Sequence, residues 1–343
     1  MSAAATAIWT PEAVRELDRT AIREFGIPGY ELMKRAATAA FEAGTARWPG
    51  VRRWLVLCGS GNNAGDGYLV ARLARLAGLD VRVCALSDPE RLTGDAATAC
   101  RDFVAAGGTP EPFSAEALKW ADLVVDAMLG TGLSRDVEGT VLGAIEAVNG
   151  SGRAVLALDI PSGLNATTGL PAGNAIRAGM TVTFVGRKLG LHLGEGPAFA
   201  GTVVFADLGI PAEAIDRAGL AGTAPLRLFG EDQLRTLLPP RRATAHKGSF
   251  GHVLVVGGNH GMSGAVRLAG EGALRAGAGL VSVATRPAHA AHIPLVRPEL
   301  MCHGVGSATE LAPLLARATV VATGPGLGQD DWARELLDAV LGT

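Results

Sequence analysis

Three loops rich in oxygen donors carry the chemistry that can be read from this chain. The first is GSGNNAGDG (59–67), placed between the apolar run Trp54–Cys58 and the pattern YLVARLARLAG. Strand, glycine loop and helix in that order suit a phosphate. Glycines let backbone approach a ligand closely, and a helix start offers free N–H groups and the positive end of its dipole. Asn62, Asn63 and Asp66 add oxygen-bearing side chains that a bare pyrophosphate cradle does not need. Gly59, Gly61 and Ala64 fit the loose G-x-G-x-x-A dinucleotide pattern, which is weak by itself. A tight turn with soluble side chains is the plain alternative. The second loop is DAMLGTGLSRD (126–136), where Asp126 closes a strand, and the third is DIPSGLNATTG (159–169), where Asp159 closes another.

In an open parallel sheet, ligands bind beyond the carboxyl ends of the strands. That edge would gather Asn63, Asp126, Asp159 and Ser162 with the carbonyls of glycine turns. Oxygen donors without His or Cys suit a hard cation. Few carboxylates among many neutral oxygens suit a weakly hydrated monovalent ion. Each aspartate alone has a simpler use as a cap for the next helix, but three loops of one character argue against that. No G-x-S-x-G, H-E-x-x-H or G-x-x-x-x-G-K-[ST] occurs. His289 and His292 lack a third metal ligand and are expected at the surface. Lys188 could reach a phosphate, yet a solvated surface lysine is the default expectation.

The elements that must position these loops follow from periodicity. Thr10–Pro11 starts a helix whose inward face is Val14, Leu17, Ala21, Ile22 and Phe25. A second helix turns Leu32, Met33, Ala36, Ala37, Ala40 and Phe41 inward. Strands are expected at 54–58, 81–86, 122–128, 154–160, 180–186 and 203–207, with helices near 67–77, 94–106 and 139–149. Apolar strands alternating with helices predict a Rossmann-like three-layer α/β domain with a parallel sheet covered on both faces. The rhythm lapses over 210–245, where Pro211, Pro225, Pro239 and Pro240 fall. A boundary is placed there, giving domains 1–220 and 221–343. The second α/β series has strands in 252–258, 280–285 and 319–328, with helices at 264–277 and 331–341.

Composition narrows the function classes. The chain has 343 residues, 48% of them apolar, and a net charge of −2 from 31 basic and 33 acidic residues. Without a basic face nucleic acid is not expected as a partner. No apolar run reaches the roughly 18 residues of a membrane span, and the start MSAAATAIWTPEAV lacks a signal-peptide pattern. Cys58, Cys84, Cys100 and Cys302 show no C-x-x-C spacing and read as free thiols in a reducing cytoplasm. A homo-oligomer is expected.

The motifs together resemble a known family. IPGYELMKRAA (27–37), GSGNNAGDG, VVDAMLGTGLSRD (124–136) and LDIPSGLNATTG (158–169) resemble the NAD(P)H-hydrate epimerase, or YjeF N-terminal, domain. HKGSFGHVLVVGGNHGMSGAVRLA (246–269) and ATGPGLG (322–328) resemble the ADP- or ATP-dependent NAD(P)H-hydrate dehydratase, which is ribokinase-like. Fused in this order they are similar to the bifunctional nicotinamide nucleotide repair enzymes. The resemblance implies NADHX and NADPHX, hydrated at carbon 6 of the nicotinamide ring, as the substrates. It implies potassium ligands at Asn63, Asp126 and Ser162. It implies substrate contacts at Asn62, Asn63, Ala64, Gly65, Asp66, Gly130, Thr131, Gly132, Leu133, Ser134, Arg135, Asp136 and Asp159. In the second domain it implies substrate contacts at Ala265 and Gly326. The family's TPHPGE-like segment and GMGD-like turn do not occur before Thr343, so a truncated dehydratase half without activity is expected, with ADP or ATP and magnesium belonging to the complete domain.

Asp159 is the expected acid–base residue, protonating the leaving hydroxyl and then activating returning water. A non-catalytic nucleotide-binding module and an NAD-dependent dehydrogenase are the alternatives. The latter would use an acid after the next strand, such as Asp88, to hold ribose.

Overall fold

The computed structural model describes residues 6–133 and 135–342; Ser134 lies outside the described residues. Two compact units meet at Leu237/Leu238 rather than at 220/221. The shift has a structural cause. Strand β10 (Leu226–Arg227) returns to pair antiparallel with β1 (Ala7–Trp9), which ties the stretch after 220 to the first unit.

The first unit is built on seven parallel strands: β2 (Arg53–Cys58), β3 (Asp80–Ala85), β4 (Pro110–Pro112), β5 (Leu123–Ala127), β6 (Ala154–Leu158), β7 (Met180–Phe184) and β9 (Thr202–Ala206). Their order is β4-β3-β2-β5-β6-β7-β9. β2 alternates between two cores, as a strand covered on both faces must. Trp54, Val56 and Cys58 pack beneath helices α1 (Pro11–Arg23), α2 (Gly29–Arg47), α3 (Asn62–Leu76) and α4 (Gly94–Ala105). Leu55 and Leu57 pack on the other face against α5 (Ala115–Trp120) and α6 (Gly139–Gly150). Each large apolar side chain so buried contributes about 1.5–3 kcal/mol.

Four departures from expectation have physical reasons. The helix after β2 starts at Asn62, not near 67, with Gly61 as its cap. Asn62, Asn63 and Ala64 therefore form its first turn, and the loop proper is only Gly59–Gly61. Ile22 is exposed on α1 although its pattern placed it inward. Pro110–Pro112 forms a short outer strand that its prolines had hidden, since an edge is where a strand tolerates proline. The fourth is a separate small sheet, order β10-β1-β8, in which β8 (Arg187–Lys188) runs parallel to β1.

The second unit has four parallel strands in the order β13-β12-β11-β14: β11 (His252–Val256), β12 (Leu280–Thr285), β13 (Met301–Gly304) and β14 (Val320–Thr323). Helices α7 (Ser263–Ala276), α8 (Ala308–Leu315) and α9 (Asp331–Leu341) flank them. The apolar runs Val253–Val256 and Leu280–Val283 are largely covered. Leu254, Val255, Val256, Val281 and Val283 are buried, because β11 and β12 are the inner strands. Exposure falls on the outer strands instead, at Val320 and Met301.

Gly59 marks the tightest approach in the first sheet. A Cβ there would sit 1.9 Å from the backbone oxygen of Met128. Gly59→Ala is expected to lower unfolding free energy by about 3 kcal/mol, the upper range for overpacking, as measured by urea denaturation. Gly132→Ala, where no atom lies within 4 Å, should stay within about 0.5 kcal/mol of wild type.

Candidate active site

The strand order of the first sheet reverses between β2 and β5. β2 leads to α3 on one face, and β5 leads to α6 on the other. Ligand crevices form at such a reversal, beyond the carboxyl ends of the strands. A cavity of about 810 Å³ opens there. Its wall includes Ser60, Gly61, Asn62, Asn63 and Asp66 from the first loop and helix start. Leu129, Gly130, Thr131, Gly132, Leu133 and Arg135 come from the loop after β5, and Asp159 from the end of β6.

Not every expected contact reaches this wall. Ala64 is fully buried and Gly65 packs against the Met33 side chain of α2; neither lines the cavity. The resemblance implies contacts at both, and helix geometry turns them inward. Asp136 is exposed and also stands outside the cavity wall.

Asp126 and Ser162 lie beneath the cavity as a buried pair. Ser162 donates from its hydroxyl to Asp126 Oδ1 at 2.5 Å and from its backbone N–H to Oδ2 at 2.7 Å, and the Met128 N–H also donates to Oδ1. Burial pushes the Asp126 carboxyl up to about 6, against the pull of these hydrogen bonds. Asn63 joins them through Leu129. Asn63 Nδ2 donates to the Leu129 carbonyl at 2.8 Å, and the Leu129 N–H donates to Ser162 Oγ at 2.8 Å. Asn63 Oδ1 is buried with no hydrogen-bond partner. A buried, unpaired carbonyl oxygen is costly unless something fills its place. Asn63 and Ser162 thus meet at one backbone unit, Leu129, with Asp126 joined to it through Ser162. Among the described residues, no group of three or more His, Cys, Asp or Glu could hold a metal ion. The donor set is mostly neutral oxygen.

Lys188 is the largest correction. Expected at the surface, it is 1% exposed. Its ammonium donates to Asp159 Oδ1, to Thr183 Oγ1 at 3.1 Å and to the Phe184 carbonyl at 2.7 Å, so all three N–H bonds are used. The Phe184 N–H donates to the same Asp159 oxygen at 3.2 Å. Trp9 of β1 pairs with Lys188 and fixes the strand that carries it. No sequence pattern marked the two-residue strand, although Lys following an apolar strand was a visible signal. Helix α1 also brings Val14, Arg15 and Asp18 to the cavity, which sequence reading had used only for packing.

Backbone strain collects at the same place. Among the described residues, the non-glycine residues with left-handed backbone are Asp159, Val185 and Leu208, with φ of 65°, 66° and 57°. All three line the cavity. Each such residue costs about 1–3 kcal/mol and persists where the surroundings enforce it, which is typical of functional sites.

Asp88 does not serve a ribose here. Its carboxylate accepts from the Glu90 N–H at 3.0 Å as the cap of a short turn, and it lies outside the cavity wall. His289 bonds the Gly258 carbonyl, 31 positions away, and His292 the Ala288 carbonyl one turn back.

In the second unit, Ala265 and Gly326 meet. A Cβ on Gly326, whose φ is 63°, would lie 3.1 Å from the Ala265 Cβ. They sit where the order reverses between β11 and β14. Asn259, Arg286 and Asp330 brace that edge, with Arg286 donating to both of the others at 2.9 and 2.7 Å.

The first unit is therefore a doubly wound α/β domain with a polar site at its topological switch point, and the second is a smaller parallel α/β unit. Residues 29–190 match the family model described as YjeF-related protein N-terminus, and residues 253–343 match the model described as NAD(P)H-hydrate dehydratase. The chain is 47% identical over 338 residues to the bifunctional NAD(P)H-hydrate repair enzyme Nnr of Coxiella burnetii, covering 98% of this chain and 68% of that one. It is 41% identical over 337 residues to the enzyme of the same name from Escherichia coli K12, covering 97% and 64%. The chain belongs to the family of bifunctional NAD(P)H-hydrate repair enzymes, and it spans about two thirds of the length of these relatives. The crystal structure of yeast ynu0 shares the fold, with a TM-score of 0.55 at 20% identity over 66% of this chain and 98% of that one.

Removing the ammonium should leave Asp159 without its cation in a partly enclosed site. Lys188→Met is expected to cost about 3 kcal/mol of unfolding free energy, as when one partner of a buried pair is deleted. Urea denaturation near neutral pH reads this, and an unchanged midpoint would mean that the ammonium is not seated as described.

Proposed function

We propose that the first unit interconverts the R and S hydrates of NADH and NADPH at carbon 6 of the nicotinamide ring. The observation that carries this reading is the cavity at the switch point, which unites Asp159, the start of α3, Leu129–Leu133 and Arg135. Family membership supports the substrate class. The hydrate is a carbinolamine. Its hydroxyl leaves as water once protonated, which gives a ring iminium, and water re-added from the opposite face inverts carbon 6. Such proton transfer by a positioned side chain is worth ~10²–10⁴-fold.

Asp159 is read as a proton-transfer group. Its backbone is strained into place, and Lys188 and Phe184 both bond Oδ1. That leaves Oδ2 to meet the substrate. The N-terminus of α3 at Asn62 suits the diphosphate. Asn62, Asp66, Gly130–Leu133 and Arg135 are read as the substrate-holding wall. A potassium ion fits the oxygen set of Asn63, Asp126, Ser162 and the Leu129 carbonyl, and the unpaired Asn63 Oδ1 supports this fit. When bound, the ion supplies fixed positive charge for an anionic substrate.

For the second unit, ADP or ATP with magnesium is the proposed ligand, supported by the family match over 253–343. A reducing cytoplasm is the proposed location, supported by the four free cysteines. Among the described residues, no helix is long and apolar enough to cross a membrane.

Proton NMR of an R/S hydrate mixture tests the main reading: the chain should speed exchange between the epimers while NADH absorbance stays unchanged with added oxidants. Asp159→Asn should abolish exchange yet keep nucleotide binding within a few-fold, and wild-type exchange in that variant would remove the assignment. Asp126→Ala should weaken substrate binding and end any potassium dependence of the rate. A potassium response that survives the substitution would place the ion elsewhere.

A further inference from the structure

The cavity wall carries more acid than base among its buried and half-buried side chains. Asp159 closes β6, Asp66 lies on α3, Asp18 on α1 and Asp95 on α4, all lining one space with a single buried ammonium, that of Lys188. Arg15 and Arg135 also reach the cavity, but both are exposed and their charges are screened by solvent. Several carboxyl groups around one ammonium in a low-dielectric site do not all stay ionised. One of them holds the cation directly.

That one is Asp159, which accepts from Lys188 and from the Phe184 N–H. Asp66 contrasts with it. Asp66 is 9% exposed, faces the same cavity and has no side-chain hydrogen bond to another described residue. We propose that the site divides its proton work between two unequal carboxyls, with Asp66 entering the reaction as a carboxylic acid and Asp159, fixed by Lys188, as a carboxylate. The proposal rests on the epimerase reading of this cavity. Lys188 is a positioning residue in it.

Electrostatics agree with the geometry. Burial, then the charge of Asp159, raises the Asp66 carboxyl well above the ordinary carboxylate range, against the pull of Lys188. Burial likewise raises Asp18. Placement favours the division too. The strands that lead to Asp66 and Asp159, β2 and β6, stand on either side of β5, so a flat ring over the end of β5 has one carboxyl on each side.

The chemistry balances. Asp66 gives its proton to the hydroxyl on carbon 6. The C–O bond breaks, its electron pair leaves with oxygen as water, and the ring nitrogen lone pair forms the iminium. Water then adds to the other face of carbon 6, the C=N pair returns to nitrogen, and the added water loses a proton to Asp159. One water leaves, one is gained, and one proton moves from Asp66 to Asp159. The opposite epimer runs the same steps backwards, starting from the exchanged protonation state.

The test uses the full chain with Asp66→Asn and Asp66→Glu. Infrared spectra of the substrate-free protein near neutral pH should show a protonated-carboxyl band that is lost in Asp66→Asn. Epimer exchange by NMR should fall ~10²–10⁴-fold in Asp66→Asn, with hydrate binding within a few-fold and partial recovery in Asp66→Glu. Wild-type exchange in Asp66→Asn, or an infrared band indifferent to that substitution, would overturn the assignment alone. A wild-type chain that exchanges no epimers would overturn the epimerase reading and the assignment together.

Discussion

The cavity exists because β2 and β5 are neighbours whose following helices go to opposite faces of the sheet. Two adjacent chains must part at that edge, and the gap between them is the one place where side chains from several strands can converge without a helix covering them. Everything chemical in the first unit depends on this parting. Gly59 lets the two chains stay in contact up to the last moment, with its backbone against Met128. Asp126 and Ser162 then close the floor, and Asn63 is held over it through Leu129. The small sheet β10-β1-β8 acts from outside to drive a lysine into the wall.

A buried ammonium and a strained aspartate would both be liabilities in an ordinary domain. Here they offset each other. Lys188 spends every N–H on a fixed acceptor, and one of those acceptors is Asp159. The left-handed backbone of Asp159 and Val185 at the ends of β6 and β7 brings the carboxylate and the Phe184 carbonyl to the same ammonium. Strain at the strand ends, and charge buried beside them, is the arrangement expected where geometry is kept for function rather than stability.

Much of this was legible in the sequence. The inner strands read clearly because a strand buried on both faces is a continuous apolar run, as in Trp54–Cys58 and Leu123–Ala127. Asp126, Asp159 and Ser162 read clearly because they interrupt or follow such runs. The residues that were missed owe their place to contacts far apart in sequence. Lys188 looks like any exposed lysine until β1 pairs with its strand from nearly 180 positions away. Asn62–Ala64 looked like loop because asparagine and glycine favour turns, while the free N–H groups of a helix start tolerate the same residues. Pro110 and Pro112 argued against a strand that forms only because it is an edge. Asp66 was visible as a contact, but its burial and lack of a partner belong to the fold.

The most direct test of the account is a structure of this chain with an NADPH hydrate bound in the first unit. The account predicts the diphosphate at the start of α3 beside Asn62 and carbon 6 of the nicotinamide ring between the carboxyls of Asp66 and Asp159, with Lys188 still bonded to Asp159. A nicotinamide ring seated away from Asp159, or a diphosphate bound elsewhere than the α3 start, would contradict it.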